Sequence, residues 1–253
     1  MESVQVISLS ATVSNAEEFG EWLGEVRGTI DVIVSEVRPI PLYQHVLIGN
    51  KLVDLFSRPG QINSEILKLE NEALRKVKHR NTRQSRWVDD LNKLSRPEII
   101  EKLDRMALLP AITFIFSRIG CDAAVKQCLQ AGIKLTNADE RREIIETANR
   151  YTQNLAQEDL EILGHSEWLA ALERGIAAHH AGLLPSFKSA VEDLFQRGLV
   201  KAVFATETLA LGINMPAKTV VLEKLVKYNG EAHVPITPGE FTQLTGRAGR
   251  RGI

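Results

Sequence analysis

The sequence predicts an α/β fold with a parallel sheet, because strand-like and helix-like segments alternate along most of the chain. Short apolar runs that indicate buried strands occur at 110–117, 176–182, 199–206 and 218–224, and helix-like segments separate them. Polar loops that contain glycine, hydroxyl residues, histidine or arginine directly follow several of these runs. Such alternation is typical of layered folds in which helices cover a mostly parallel sheet.

The first 36 residues follow the order strand, helix, strand. The run VQVISLSAT at 4–12 indicates one buried strand, and TIDVIVSE at 29–36 indicates another. Between them, Ser14 and Glu17 have the spacing of a capping box at a helix start, and Gly24 suits the helix end. This order predicts one unit of a parallel sheet.

The segment at 37–108 interrupts this regularity and has the character of a linker with a charged helical insertion. Pro39 and Pro41 break the pattern, and 42–49 is strand-like. From about residue 61 to 107 the chain is polar, charged and predicted to be helical.

A strongly basic stretch lies inside this insertion. Residues 75–86 contain six Lys or Arg and no acidic residue. Two interpretations stay open for it: a solvated or partly disordered segment, or a basic arm that contacts a nucleic-acid backbone.

The remaining helices are predicted from their start and stop signals. Helical periodicity extends from Arg118 to Gly132, and a second helix follows with Thr136 and Asp139 at capping-box spacing. The other predicted start and stop residues are Ser166 and Gly175, Pro185 and Gly198, and the pair Thr237 and Pro238 as N-cap and first helical residue.

Composition limits the classes of protein to which the chain can belong. With 253 residues and a net charge of −1, it is large enough for a sizeable core and has no global electrostatic signature of nucleic-acid binding. Cys121 and Cys128 would lie two turns apart on a helix, too far for a disulfide, which fits a reducing compartment. Without a membrane-length apolar run, a signal peptide or zinc-type clusters, we expect a cytoplasmic protein with no metal site of its own.

Ligands of open α/β sheets bind outside the carboxyl ends of the strands, so the residues after each predicted strand are site candidates. These are SAT at 10–12, SR at 117–118, HHAG at 179–182 and TETLALGINMPA at 206–217. Hydroxyls, backbone N–H groups and arginine are groups that hold phosphates. Each motif alone is a weak signal, because small polar residues often simply end strands and histidines at a sheet edge are often buried.

The stretch QLTGRAGRRG at 243–252 is more specific. On a helix, Gln243, Arg247 and Arg250 share one face, and Gly246 and Gly249 would allow another surface to approach closely. Arginine suits a phosphate chain because its guanidinium donates in a fixed fork and stays charged. Favourable interaction with the helix dipole would explain the arginines, but not the glycines or the glutamine.

Taken in order, these motifs resemble those of the superfamily 2 DExH-box helicases. Within that group the chain is similar to the superkiller-type RNA helicases and, among those, to the actinobacterial HelY-type proteins. SLSATVSN matches motif III, FIFSR motif IV, and AAHHAGL the motif between IV and V. ATETLALGINMPA matches motif V and QLTGRAGRRG motif VI, and these last two are highly specific.

The resemblance implies two RecA-like domains of the P-loop NTPase helicase type, with ATP between them and RNA across their tops. Residues 1–36 correspond to the end of the first domain, 37–108 to a linker with an insertion, and 109–253 to a second domain that ends after motif VI. ATP and Mg²⁺ are the implied cofactors, both held mainly by the first domain.

The resemblance also implies residue roles. Arg250 corresponds to the arginine finger on the γ-phosphate, with Arg247 and Gln243 beside it, and Ser10 and Thr12 to residues that couple the domains. The residues that would bind ATP or link it to the RNA surface are Glu207, Gly212 and Asn214. The residues that would line the nucleic-acid backbone are Ser117, Arg118, His180, Gly182, Thr206 and Thr208.

The chain departs from the family pattern in one respect. It contains neither a G-x-x-x-x-G-K-[ST] motif nor D-E-x-H, and ADERRE at 138–143 lacks the histidine. We therefore expect the 253 residues to be an internal piece of a longer helicase that is inactive by itself.

The function implied is ATP-dependent 3′–5′ translocation on RNA and RNA unwinding, in RNA processing or decay. The expected partners are RNA, the first RecA-like domain of the same parent chain and RNA-degradation machinery. No membrane contact is expected. Two alternatives stay open: a DNA helicase of the related repair branch, since backbone-holding motifs tolerate both sugars, and a non-catalytic nucleic-acid-binding or protein-interaction module. A complete motif VI, which would be idle without a nucleotide, favours the enzyme.

Overall fold

The computed structural model of the chain describes residues 7–9, 16–35, 40–78, 94–210 and 215–249. The predicted strand at 4–12 lies mostly outside these ranges, as do Ser10, Thr12, Gly212, Asn214 and Arg250. Among the described residues, no helix combines the length and the apolar character needed to cross a membrane.

The described N-terminal residues contain helices and short antiparallel hairpins. Strands β1 and β2 form one hairpin, and β3 and β4 form another. In chain order the elements are α1 (Ala16–Arg27), β1 (His45–Ile48), β2 (Lys51–Asp54), β3 (Phe56–Arg58), β4 (Gln61–Ile62) and α2 (Ser64–Lys78).

The C-terminal part alternates helices and strands as predicted. Its elements are α3 (Arg96–Arg105), β5 (Ala111–Phe114), α4 (Arg118–Gln130), α5 (Ala138–Thr152), α6 (Gln157–Ile162), α7 (His165–Leu172), β6 (Ile176–His179), α8 (Pro185–Gln196), β7 (Ala202–Ala205), a short 3₁₀ helix (Glu207–Ala210), β8 (Thr219–Leu222), β9 (Val226–Tyr228), β10 (His233–Pro235) and α9 (Pro238–Thr245).

Four strands of this part form a parallel sheet in the order β6-β7-β5-β8. The central strands β5 and β7 are buried along their whole length, which is why they are continuous apolar runs rather than alternating ones. The α/β fold class with a parallel sheet is confirmed. Strands β9 and β10 form a separate antiparallel hairpin, which the sequence analysis did not identify.

Two hydrophobic clusters cover the two faces of the sheet. Successive strand residues point to opposite faces, so Val203 belongs to one cluster and Phe204 to the other. The first cluster contains side chains of α5 and α8, such as Ile144 and Leu194, and the second contains α4 side chains such as Cys121. Because the four strands are parallel, their carboxyl ends lie at one edge of this covered sheet.

Both cysteines are free and buried in the second cluster. Burial raises the pKa of the Cys121 and Cys128 thiols to about 12. The prediction of two unpaired thiols is confirmed.

The predicted strand at 29–36 is wrong over its described part. Residues 29–35 form no strand, and Ile33 and Val34 are 90% and 63% exposed. A strand needs neighbouring backbone to pair its N–H and C=O groups, and no described strand lies beside this segment. The apolar run predicted burial, but in the described chain helix α1 contacts only part of it, near Val32, and Ile33 and Val34 stay exposed.

Helix α3 is the last part of the predicted linker, yet it packs into the domain core. Ile100 is 1% exposed and belongs to the cluster that contains Cys121 and Ala124. Arg96 Nη2 donates to both carboxylate oxygens of Glu223 after β8, at 3.1 and 3.0 Å. The sequence places these partners more than a hundred residues apart, so no local pattern could predict the contact.

Two helix starts differ from prediction by one residue. The capping box of α5 consists of Asn137 and Glu140 instead of Thr136 and Asp139, because the Thr136 hydroxyl donates to the Glu173 carbonyl. Helix α7 begins at His165 after Gly164, whereas Ser166 was the predicted start. The predicted start of α9 is confirmed, with Thr237 as its N-cap.

Candidate nucleic-acid and nucleotide site

Strand β5 ends in a turn that exposes Ser117 and Arg118. The Ser117 hydroxyl accepts a 3.1 Å hydrogen bond from the Gly120 N–H and so caps α4. A Cβ on Gly120 would lie 2.8 Å from Ile115 Cγ2, so the tight turn requires glycine. Both predicted residues therefore lie at the carboxyl edge of the sheet with their side chains accessible.

The loop after β6 is held by the His180 ring. The Gly182 N–H donates to His180 Nδ1 at 3.1 Å, so Nδ1 must be an unprotonated acceptor. Nε2 then carries the proton and donates to Asp122 Oδ1 at 2.9 Å. These bonds join the β6 loop to the first turns of α4.

The predicted contact of His180 with a nucleic-acid backbone needs correction, because its side chain is not accessible for it. The side chain is 5% exposed, and both ring nitrogens are engaged within the protein. The ring shapes the loop, and the exposed group at this position is Gly182. The sequence analysis missed Asp122, because the contact spans 58 residues.

Arg118 and Gly182 lie close together although their strands are not neighbours. A Cβ on Gly182 would lie 3.5 Å from Arg118 Cδ and 3.1 Å from His180 Nδ1. A larger residue would therefore crowd the His180 ring, while its distance to Arg118 would be that of an ordinary van der Waals contact. Helix α4 makes this proximity possible, because it packs over the sheet and brings its first turn to the β6 loop.

His179 is a core residue and not a contact residue. Its Nε2 pairs with Glu192 Oε1 at 2.8 Å, and its side chain is 3% exposed. Burial lowers the pKa of His179 below its ordinary value of 6.5, and the bond with Glu192 opposes this shift.

The loop after β7 carries the two predicted threonines and Glu207. The Thr206 N–H donates to the His179 carbonyl at 3.2 Å, which joins this loop to the end of β6. The Thr206 and Thr208 hydroxyls lie 3.0 Å apart. Thr206 is buried at 9% exposure, while Thr208 and Glu207 are exposed.

Helix α9 ends earlier than predicted, and this changes the description of motif VI. The helix stops at Thr245, and Gly246 is its C-cap. Gln243 is on the helix and half-buried, whereas Arg247 follows it and is 6% exposed. The prediction that Gln243 and Arg247 share a helical face is therefore wrong.

The glycines of this motif have local structural roles in the described chain. A Cβ on Gly246 would lie 2.8 Å from the Thr242 carbonyl oxygen. Gly249 has φ +64°, a conformation that favours glycine. Its N–H donates to the Ala217 carbonyl at 3.0 Å, and the Ala217 N–H donates to the Arg247 carbonyl at 2.9 Å. The glycines thus let the chain turn and pair with the segment before β8.

The cation that sequence analysis missed is Lys227. Its Nζ contacts Glu207 and Glu240, and these bonds raise the pKa of Lys227. The same contact lowers the pKa of Glu240. A local sequence pattern can predict the capping box of Thr237 and Glu240. It cannot predict the contact with Lys227, because that residue comes from a different element, the β9–β10 hairpin.

Ser10, Thr12, Gly212, Asn214 and Arg250 lie outside the described residues, so their predicted roles stay predictions. Within the ranges that the structure describes, no group of three or more His, Cys, Asp or Glu residues is arranged to hold a metal ion.

A parallel sheet covered by helices, with exposed hydroxyls, an arginine and glycine-bearing loops at its carboxyl edge, defines an α/β domain of the ligand-binding class. A family model described as helicase conserved C-terminal domain matches residues 125–252, just over half of the 253-residue chain. The chain belongs to this helicase family, and its fold is the RecA-like one expected from the motifs.

Similar proteins carry helicase names. The chain is 56% identical to a probable helicase HelY of Mycobacterium tuberculosis, 36% to the chloroplastic DExH-box ATP-dependent RNA helicase DExH15 of Arabidopsis thaliana, and 35% to Superkiller complex protein 2 of Homo sapiens. Each alignment covers 100% of this chain, but only 29%, 24% and 21% of the respective relative. The predicted resemblance to DExH-box helicases is confirmed.

Proposed function

We propose that the natural protein containing this chain is an ATP-dependent RNA helicase that translocates 3′ to 5′ and unwinds RNA. The observation that carries the proposal is the exposed row of Ser117, Arg118, Gly182 and Thr208 at the carboxyl edge of one sheet. These groups come from the ends of three strands. They offer hydroxyls, a guanidinium and accessible backbone, which suit contacts to successive phosphates.

Each residue of this row has a specific part in the proposed RNA contact. No hydrogen bond or ion pair joins the Arg118 guanidinium to another residue within the described ranges, so its donors remain available for a phosphate. Gly182 permits close approach of the sugar–phosphate backbone. His180 and Asp122 act behind it by fixing the loop, and buried Thr206 supports the exposed Thr208 hydroxyl.

The nucleotide would lie on the other side of the loop after β7, toward α9. Glu207, Gly212, Asn214, Gln243, Arg247 and Arg250 are the residues proposed for that side. The amide of half-buried Gln243 and the guanidinium of Arg247 are hydrogen-bond donors of the kind that bind a phosphate chain. Hydrolysis of bound ATP would supply the free energy for translocation and unwinding. Mg²⁺ and most phosphate contacts are assigned to the first RecA-like domain.

We extend the proposal to the domain organisation: residues 1–36 belong to the first RecA-like domain, 37–108 to a linker and insertion, and 109–253 to the second. Exposed apolar side chains support the first assignment, since Leu9 is 92%, Trp22 55% and Ile33 90% exposed. Apolar patches of this kind usually mark a surface that another part of a protein covers. Ser10 and Thr12 would couple the two domains.

The choice of RNA rests on the names of the relatives, two of which are an RNA helicase and a superkiller complex protein. A role in RNA processing or decay, with RNA-degradation machinery as partner in the cytoplasm, is part of the same proposal. A DNA helicase and a non-catalytic binding module are the alternatives that the test must separate.

The test uses the full-length natural protein and matched duplexes of RNA and DNA with either a 3′ or a 5′ overhang. We expect ATP-dependent displacement of RNA from the 3′-tailed duplex and ATPase activity that RNA stimulates. Preferential displacement on DNA would favour the repair-type alternative. Binding of RNA without any ATPase activity would favour the non-catalytic module.

A further inference from the structure

Lys227 lies between two carboxylates that belong to different parts of the candidate site. Its Nζ donates hydrogen bonds of 2.9 Å to Glu207 Oε2 and 2.5 Å to Glu240 Oε1. The Lys227 side chain is 18% exposed, compared with 50% for Glu207 and 32% for Glu240. Charge-assisted bonds that are partly withdrawn from water are stronger than fully exposed ion pairs. Lys227 therefore connects the two carboxylates instead of extending into solvent.

The two carboxylates lie on the two surfaces of the proposed site. Glu207 comes between Thr206 and Thr208 in the loop after β7. Glu240 is in the first turn of α9, where its Oε2 accepts from the Thr237 N–H at 2.8 Å and completes the capping box. One oxygen of Glu240 thus fixes the start of α9, while the other binds Lys227.

A second connection ties the far end of α9 to the same region. The Ala217 N–H donates to the Arg247 carbonyl, and the Gly249 N–H donates to the Ala217 carbonyl, at 2.9 and 3.0 Å. Helix α9 is therefore attached through Lys227 near its start and through Ala217 beyond its end. If α9 moves as a rigid body, the segments that contain Glu207 and Ala217 must move with it.

We propose that Lys227 is a positioning residue that couples the loop at 206–208 to helix α9, so that RNA bound at the loop sets the placement of Gln243 and Arg247 for ATP hydrolysis. The inference rests on the proposed helicase function. Lys227 contacts neither ligand and acts through Glu207 and Glu240. Coupling of two sites requires a physical element whose arrangement both ligands affect, and the connected loop and helix are such an element.

The variants are chosen to separate charge from packing. Lys227→Met removes the ammonium group and retains most of the side-chain length, while Lys227→Arg retains the charge. Glu240→Gln removes the other charge but preserves the capping box, in which glutamine also serves. Lys224→Met is the matched control, because Lys224 is an exposed lysine three residues away.

The measurements in the full-length protein are ATPase rates with and without a single-stranded RNA, the KM for ATP, and RNA affinity without nucleotide. We expect Lys227→Met and Glu240→Gln to lower the ratio of RNA-stimulated to RNA-free kcat by about tenfold, a typical size for coupling between sites. RNA affinity should stay close to that of the wild type, Lys227→Arg should restore most of the ratio, and Lys224→Met should retain it.

The ratio distinguishes coupling from stability, because partial unfolding lowers both rates equally and leaves their ratio unchanged. If the ratio of both folded variants equals that of the wild type, Lys227 has no coupling role. If the wild-type protein itself shows no RNA-stimulated ATPase activity, the proposed helicase function is contradicted.

Discussion

Arg118 is the described cation best placed to contact a phosphate, because it is exposed beside Gly182 at the strand-end loops. We expect Arg118→Gln in the full-length protein to weaken RNA binding for all sequences alike. The slope of log K against log salt should fall by about 1, as for one lost phosphate contact. The measurement is RNA affinity over a salt series, with Arg142→Gln on α5 as an exposed control. An unchanged slope for Arg118→Gln would remove this residue from the proposed contact.

Arg250 is the predicted arginine finger, and its substitution separates that role from favourable interaction with a helix dipole. We expect Arg250→Ala in the full-length protein to lower ATP hydrolysis by about 10³–10⁵, the usual contribution of an arginine finger. RNA affinity without nucleotide should persist, since the proposed RNA contacts are on the loops at 117–118, 179–182 and 206–208. Lysine should rescue poorly, because it lacks the bidentate fork.

Steady-state ATPase and RNA affinity, measured side by side, test this prediction. An ATPase loss smaller than about tenfold would correspond to less than the free energy of one ordinary charged contact. That result, or an equal loss in both assays from a folded variant, would exclude Arg250 as the finger.

Buried His179 and half-buried His165 are expected to make stability depend on pH. Burial lowers the pKa values of His179 and His165 below their ordinary 6.5, so the unfolded chain takes up protons at a higher pH than the folded one. The free energy of unfolding should therefore fall as pH decreases from 6.5 toward the folded pKa values. Carboxyl groups with lowered pKa values, such as Glu140, reduce the free energy of unfolding only as pH falls below about their ordinary pKa of 4.5.

Urea unfolding between pH 7.5 and 5 isolates the histidine contribution. We expect the wild-type chain to lose stability over this interval, and His179→Gln to show a smaller loss. Equal pH dependence in the two proteins would mean that His179 is not a source of the effect.

At the scale of elements, helix α4 organises the side of the site that is proposed to bind nucleic acid. Ser117 is the N-cap of this helix and Arg118 is its first residue. One turn later, Asp122 fixes the His180 ring. The sequence analysis identified Ser117, Arg118 and His180 as site candidates, together with the helix start, but it missed Asp122. It could not assign them a common position, because only the packing of α4 over the sheet brings the β5 and β6 loops together.

The basic stretch at 75–86 begins in the last turn of α2 and continues outside the described residues. If it is an RNA-binding arm, replacing its six basic residues with glutamine should flatten the salt dependence of RNA affinity in the full-length protein. Replacing an equal number of exposed Lys and Arg residues elsewhere in 94–210, with Arg118 left unchanged, is the control. An unchanged slope of log K against log salt would favour the other interpretation, in which 75–86 is a solvated segment.

At the scale of the whole molecule, we expect the 253-residue chain by itself to show no ATPase activity. It contains no P-loop and no D-E-x-H sequence, the elements that hold the phosphates and Mg²⁺ in this class of enzymes. The assay uses the purified chain with Mg-ATP and saturating RNA, beside the full-length protein as the positive control. Turnover above that of a heat-denatured sample would contradict the expectation.

The sequence alone determined the α/β class, the four parallel strands and most helix positions of the C-terminal part. These features depend on local periodicity and on start and stop residues, such as Thr237 and Pro238, which act within a few positions along the chain. The order of the motifs also determined the family. Local patterns do not contain the pairing partner of a strand, however, and the strand predicted at 29–36 is therefore absent over its described part, 29–35.

Only the tertiary structure decided which side chains reach the surface of the site and which support it from behind. His180 is turned inward by Asp122, Arg247 is buried beyond the end of α9, and Lys227 joins Glu207 to Glu240. The physical reason is that burial and ion pairing depend on contacts between elements distant in sequence, whereas helix and strand formation depends mainly on neighbours along the chain.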